Sequence, residues 1–282
     1  MTKVSTRLIL KKSRDLKIPY RNLLQGVARE QVVERLFALP ENYKVALMKT
    51  GEYGIDSYRT SNTKDVYVRV KEKGVDGMYL TAMIAMLVED GEEKAVIEEF
   101  EDGAKVRLSI PFDKVTIPVN LYLFPLKDEK NDLEDITFRL SYENDRVLNI
   151  TALYPEKEIA NYFAILYDKQ EFLSDMSILY NLYSYGTKRT FSGRKLMVSI
   201  NDELVNRGLI LTEERYHNMK SALASKSSKT KYRAFLSLGK RKEPIYEEII
   251  KVIDEVFDPV IDTLLKDEIF FGEYMPELKR YL

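Results

Sequence analysis

The chain contains no cysteine and, in 282 residues, one histidine, His217. Without cysteine there can be no disulfide, no thiolate nucleophile and no cysteine-ligated zinc. A single imidazole argues against a histidine-rich metal centre and against a Ser-His-Asp triad. Long apolar runs are missing as well. Nothing approaches the roughly 18 residues of a membrane span, and the opening stretch MTKVSTRLILKK has too short an apolar core for a signal peptide. The expectation is a soluble, cytoplasmic protein that does not enter a membrane.

What is present is ordinary for a globular protein: 45% apolar and 32% charged residues, enough for one large or two medium domains with real cores. The net charge of -1 hides an asymmetry. Residues 188–242 hold 14 Lys or Arg against 4 Asp or Glu, and residues 243–282 hold 4 against 11. Blocks of one sign say more about partners than the total does.

The most chemical stretch runs from Tyr43 to Val70. A short apolar run, Val45 to Met48, breaks at Lys49, Thr50 and Gly51. A polar loop follows, and Val66, Val68 and Val70 then alternate with Asp65, Tyr67 and Arg69. Such a pattern predicts strand, loop, strand, with Asp65 at the start of the second strand. Before it, a basic leader precedes a helix expected from about Leu16 to Leu39, with Asp15 as cap and Pro19 in its first turn, ended by Pro40 and Asn42. After it, Met78 to Val88 reads as a buried helix with Met78, Met83 and Met86 as core filling. Val106–Ile110, Val119–Leu123 and Arg146–Leu153 read as strands, and Lys127–Asp135 as a solvated, charge-rich loop. Pro155 opens a helix to about Asp168, and a second spans Phe172 to Tyr183 with Asp175 inside it.

Tyr185, Gly186 and Thr187 mark the expected domain boundary, giving 1–186 and 187–282. Helices are expected throughout the second part. Residues 245–265 trace one apolar face that Pro259 interrupts, with Asp258 placed to cap a new helix there. The basic block contains Lys226, Lys229, Lys231, Arg233, Lys240, Arg241 and Lys242, with Lys188, Arg189, Arg194 and Lys195 nearby. Tyr232 and Phe235 could stack on bases. Such a field suits a phosphate backbone, or else is a solvated face balanced by the acidic C-terminal helices.

Taken together, the motifs resemble the AbiEii/AbiGii toxin family of nucleotidyltransferase-fold proteins, over nearly the whole chain in element order. Leu47–Gly51 is similar to its L-K-G-G motif. Arg59, Thr63, Lys64 and Asp65 are similar to R-x-T-x-D-h-D, with Tyr67 at the second aspartate. Lys105–Leu108 resembles its R-V-K-L strand, and Ile117–Leu123 its T-P-h-x-h-D-h strand, with Tyr122 for aspartate. Ala160, Asn161 and Tyr162 are the nearest match to A-E-K, with Tyr162 at its lysine, and Asp175 keeps one of two aspartates of a later helix.

The resemblance implies an α+β fold: a nucleotidyltransferase-like mixed sheet with flanking helices, then a C-terminal helical bundle. It implies a toxin of a toxin-antitoxin or phage-defence (abortive-infection) system, transferring a nucleotidyl group from a nucleoside triphosphate to tRNA or another RNA, with an antitoxin as partner. Mg2+ would sit on Asp65, with Asp175 as the second catalytic carboxylate, and Lys49, Thr50, Gly51, Thr63 and Lys64 would hold the nucleotide. Neutral phenols at positions 67 and 122 are weak metal ligands. The expectation is therefore slow or absent transfer, and the alternative is a relative that binds nucleotide, RNA or a protein without catalysis.

Overall fold

In the computed structural model, which describes residues 4–40, 43–59, 61–70, 77–88, 95–100, 103–125, 133–143, 146–239 and 241–282, the alternating stretch Asp65–Val70 is a strand whose three valines have no exposed surface. It belongs to the first of two compact units, Met1–Leu153 and Tyr154–Leu282, each with its own core.

The first unit runs α1 (Thr6–Asp15), α2 (Tyr20–Phe37), β1 (Val45–Leu47), α3 (Ile55–Tyr58), β2 (Asp65–Val70), α4 (Gly77–Leu87), β3 (Val96–Phe100), β4 (Gly103–Pro111), β5 (Thr116–Pro125), β6 (Leu133–Arg139) and β7 (Val147–Leu153). Its seven-stranded sheet has the order β3-β4-β5-β2-β1-β7-β6. β2 pairs with β5, and β1 with β7, in parallel; the other pairings are antiparallel. This is a mixed sheet. Period-two alternation sends Val66, Val68, Val106, Val119, Leu121 and Leu123 into the core shared with α2. Asp65, Tyr67, Asn120 and Tyr122 fall on the opposite face.

α2 is buried on nearly every side, and so carries Arg29, Glu30 and Glu34 inside along with its leucines and valines. The helix expected from about Leu16 is found as one helix starting at Tyr20, and Asp15, read as its cap, is instead the last residue of a separate helix, α1. Ser5 caps α1, Leu16 closes it, Lys17 takes a left-handed φ of 54°, and Pro19 precedes α2. α1 is thus the stretch read as a basic leader. Leu133–Asp135, read as loop, begins β6; Lys127 to Asn131 and Asp132 lie outside the described residues. In α4, Met83 is core as expected, but Met86 is 47% exposed.

The second unit is mainly helical: α5 (Pro155–Lys169), α6 (Ser177–Lys188), α7 (Gly193–Asn206), α8 (Glu213–Ala224), α9 (Lys226–Leu238) and α10 (Tyr246–Leu265). It also holds a small antiparallel ribbon of β8 (Phe191–Ser192), β9 (Glu273–Met275) and β10 (Arg280–Tyr281), which the all-helical expectation lacks. Tyr185, Gly186 and Thr187 form no linker. They lie in the last turns of α6, where a side chain at Gly186 would run into Val252, 2.4 Å from the new Cβ. α5 and α6 pack in the second core. α10 continues through Pro259, and the Asp258 carboxylate caps no new helix there but accepts from Tyr216 (2.6 Å) and Lys220 (2.7 Å) on α8. Among the described residues, no helix is long and apolar enough to cross a membrane.

Candidate functional site

β1 and β2 are joined by the loop that carries most of the expected site. Met48 extends the ladder by donating to the Tyr67 carbonyl at 2.9 Å. Thr50–Glu52 then form a 3-10 turn, and Gly54, at φ 96°, turns the chain into α3. The Ser57 hydroxyl donates to the Gly51 carbonyl at 2.7 Å, closing the loop on itself. Thr63 Oγ1 accepts from the Asp65 N–H at 3.3 Å, and the Lys64 carbonyl accepts from the Asn120 N–H at 2.9 Å. The Lys64 side chain is exposed.

Arg29 fastens the loop from below. Only 1% exposed, it donates from Nε to the Asp65 carbonyl (2.9 Å) and from Nη1 to the Glu52 carbonyl (3.2 Å), and its Nη2 pairs with the Glu52 carboxylate (3.3 Å). Its guanidinium lies 4.3 Å from the Tyr53 ring centroid. One buried cation thus ties both ends of the loop to α2.

The strand register brings the chemistry together. Asp65 is opposite Asn120 and Tyr67 opposite Tyr122. Asn120 Nδ2 donates to Asp65 Oδ1 at 2.8 Å, and the Tyr67 hydroxyl donates to Asp65 Oδ2 at 3.4 Å. The Tyr67 and Tyr122 rings stack with centroids 4.9 Å apart and planes 12° from parallel. Lys49 Nζ sits 3.8 Å from the Tyr67 ring centroid and 3.5 Å from Glu52 Oε1. Tyr67 is therefore held between a ring and a cation. Burial, and then the neighbouring Asp65, Glu52 and Tyr122, push its phenol well above the ordinary tyrosine value. It stays a neutral donor.

Magnesium binds through hard oxygens and is commonly held by one or two carboxylates. The three positions that the resemblance assigns to aspartates do meet, on adjacent strands. They hold one carboxylate and two phenols, and that carboxylate already accepts from an amide and a phenol. This donor set does not fit a magnesium centre. Among the described residues, no three acidic or imidazole side chains gather closely enough to hold a metal ion.

Asp175 belongs to the second unit. It precedes α6 instead of lying inside a helix, and its Oδ1 accepts from the Ser177 N–H (3.0 Å) and hydroxyl (2.6 Å), as a capping aspartate does. Tyr162 is buried, donating to Glu158 at 2.5 Å and accepting from Asn181 at 3.1 Å. Tyr185 donates to the other Glu158 oxygen at 2.5 Å.

Of the six described cations of the basic block, three are occupied and Lys226 is exposed. Lys229 pairs with Glu247, and Lys231 Nζ donates to the carbonyls of Glu171 (3.0 Å) and Leu173 (3.1 Å). Arg241 donates to the Tyr180 hydroxyl and covers that ring at 4.7 Å. Arg233 and Lys242 are exposed, while Lys240 lies outside the described residues. Tyr232 has no exposed surface, so it is core and not a stacking group.

Sequence reasoning missed Arg29, Glu52 and Asn120. Alternation with Tyr122 puts Asn120 on the Asp65 face, but the register that pairs them is set by the β2–β5 ladder. Arg29 looks like an ordinary charged residue in a helix until α2 proves buried all round.

No family model and no curated protein matches the chain. Two solved structures are similar to it. One is JHP933 from Helicobacter pylori, 10% identical, covering 79% of this chain and 97% of that one at a TM-score of 0.34. The other is a candidate nucleotidyltransferase from H. pylori, 10% identical, covering 78% and 99% at a TM-score of 0.35. Values this low assign no family.

Proposed function

We propose that the chain is a degenerate relative of the nucleotidyltransferase toxins its motifs resemble, one that has given up metal-dependent transfer and works by binding. The observation that carries this reading is the Asp65–Asn120 hydrogen bond beside the Tyr67–Tyr122 stack, at the place where the resemblance asks for converging carboxylates. Phosphoryl chemistry depends on positioning and on electrostatic stabilisation of the transferring group. A neutral, hydrogen-bonded cluster supplies little of either. Lys49 would still offer a cation to a nucleotide phosphate, but it must first leave Glu52 and the Tyr67 ring. Weak nucleotide binding is the consequence. The setting implied by the resemblance is a cytoplasmic toxin-antitoxin or phage-defence system, with RNA and a co-encoded antitoxin as partners.

The test is incorporation of labelled nucleotide into bulk RNA with magnesium or manganese, alongside equilibrium dialysis of the nucleotide. The expected result is no incorporation above a no-protein control, with dialysis giving weak retention at most. Robust transfer by the wild type that Asp65→Ala abolishes would overturn the reading and establish an active enzyme.

A further inference from the structure

α1 is held to its unit by one side. Thr6, Ile9 and Ser13 are buried. The Thr6 N–H donates to Asp113 Oδ1 at 2.9 Å, Ser13 Oγ to the Ile18 carbonyl at 2.7 Å, and Lys12 Nζ to the Ser141 and Tyr142 carbonyls at 3.2 and 3.0 Å. Arg59 Nη1 reaches the Leu16 carbonyl at 2.7 Å. The helix is a fixed element, not a tail.

Its outer side carries Arg7, Lys11 and Arg14, all exposed, at i, i+4 and i+7. None of the three makes a side-chain hydrogen bond or ion pair among the described residues. At 3.6 residues per turn they share an arc of about 60°, over a length of about 10 Å. The nearby acids do not neutralise them. Asp113 is engaged by Ser5 and Thr6, and Asp15, at i+4 from Lys11, forms no ion pair with it. Helix stability accounts for Arg14, which stands with Lys12 in the last turn where the dipole favours a cation, but not for the rest of the ridge. α1 has no acidic residue in its first turn, and Arg7 stands at the end where the helix dipole disfavours a cation. Lys12 points aside to carbonyls.

We infer that the Arg7–Lys11–Arg14 ridge of α1 docks the phosphodiester backbone of a nucleic acid. Three unpaired cations in a row, preset by a clamped helix, match a polyanion of regular spacing: about 10 Å faces roughly three phosphates of a duplex strand. A lipid surface would call for the reverse pattern, with the apolar residues at the centre of the outer face. Here Leu8 and Leu10 flank the cations. The inference stands on α1 alone and does not depend on the chemistry at Asp65.

The full chain should be titrated against a fluorescent 20-nucleotide RNA, the same sequence as single-stranded DNA, and a duplex, across a salt series. Binding to the RNA is expected to weaken with salt. The Arg7→Gln, Lys11→Gln, Arg14→Gln variant should lose at least tenfold in affinity at low salt, and its log–log salt slope should fall by about 2. Binding by the DNA arms as well would show that the backbone, not the ribose, is read. The Arg7→Lys, Lys11→Arg, Arg14→Lys variant should keep both affinity and slope, and an unchanged Tm for both variants would exclude misfolding. Unaltered binding by the glutamine variant would overturn the proposal, as would no wild-type binding to any nucleic acid, or binding only to phosphatidylserine vesicles. Transferase activity is not a readout here, so failure of this proposal and failure of the degenerate-site reading are separable.

Discussion

Glu30, with no exposed surface, accepts from the Tyr58 hydroxyl and from the Ser141 N–H, each at 2.7 Å. Burial pushes its carboxyl up to about 7, against the pull of Ser141, Tyr58 and Arg29. Glu34, Tyr142 and Arg146 form the adjoining cluster. The sign follows from linkage. The folded state holds this proton more tightly than the unfolded chain does, so the contribution is full below pH 4.5 and is lost as pH rises towards 7. Glu30→Gln should therefore flatten the fall in stability between pH 5 and 8 in urea titrations, while lowering stability overall, because the two donors bind different carboxylate oxygens and the NH2 that replaces one of them cannot accept. A wild type and variant with parallel pH profiles would refute this. Next to it, Gly26 faces the Tyr58 ring, where an added Cβ would lie 2.6 Å from ring carbons. Tyr58 is fixed by Glu30 and cannot yield, so Gly26→Ala should cost about 1–3 kcal/mol despite its better helix propensity. The urea midpoint measures it. Neither residue stood out in the sequence, because burial of a Glu and close approach to a Gly are tertiary facts.

Elements were legible where one face is buried and one is not. β2, β4 and β5 show clean alternation, and their face assignment follows from it. β3 was not legible: as an edge strand, all its residues are exposed, so Val96–Phe100 has no period to read. β8, β9 and β10 are two or three residues long, too short for any period. α9 shows a different limit. Its charge run was visible, but not where the amines go. Lys231 binds the carbonyls of Glu171, in the 3-10 turn that follows α5, and of Leu173 just after it, so it holds structure together. Lys231→Met should lower stability by about 1–2 kcal/mol, with little change in any nucleic-acid affinity. If thermal unfolding is unchanged and RNA binding drops severalfold, Lys231 belongs to a binding surface instead.

At the scale of the whole molecule, the question is where the second unit begins. A sequence boundary at 186 assigns α5 and α6 to the sheet-bearing half. The cores assign them otherwise. Ile159, Phe163, Leu166, Leu179 and Leu182, from those two helices, share one buried cluster with Ile249, Val252 and Phe257 of α10. Glu158 binds Tyr162 on its own helix and Tyr185 on α6, so the two helices are also joined by a buried carboxylate. A fragment starting at 187 would expose the apolar faces of α7 and α10 that α5 and α6 cover, and burial at about 25 cal/mol per Å² is most of what holds so small a unit. Residues 154–282 expressed alone should be helical by circular dichroism and unfold in one cooperative urea transition. Residues 187–282 should lack that transition and bind a hydrophobic dye. Cooperative unfolding of the shorter fragment, at a midpoint matching the longer one, would move the boundary back to 186.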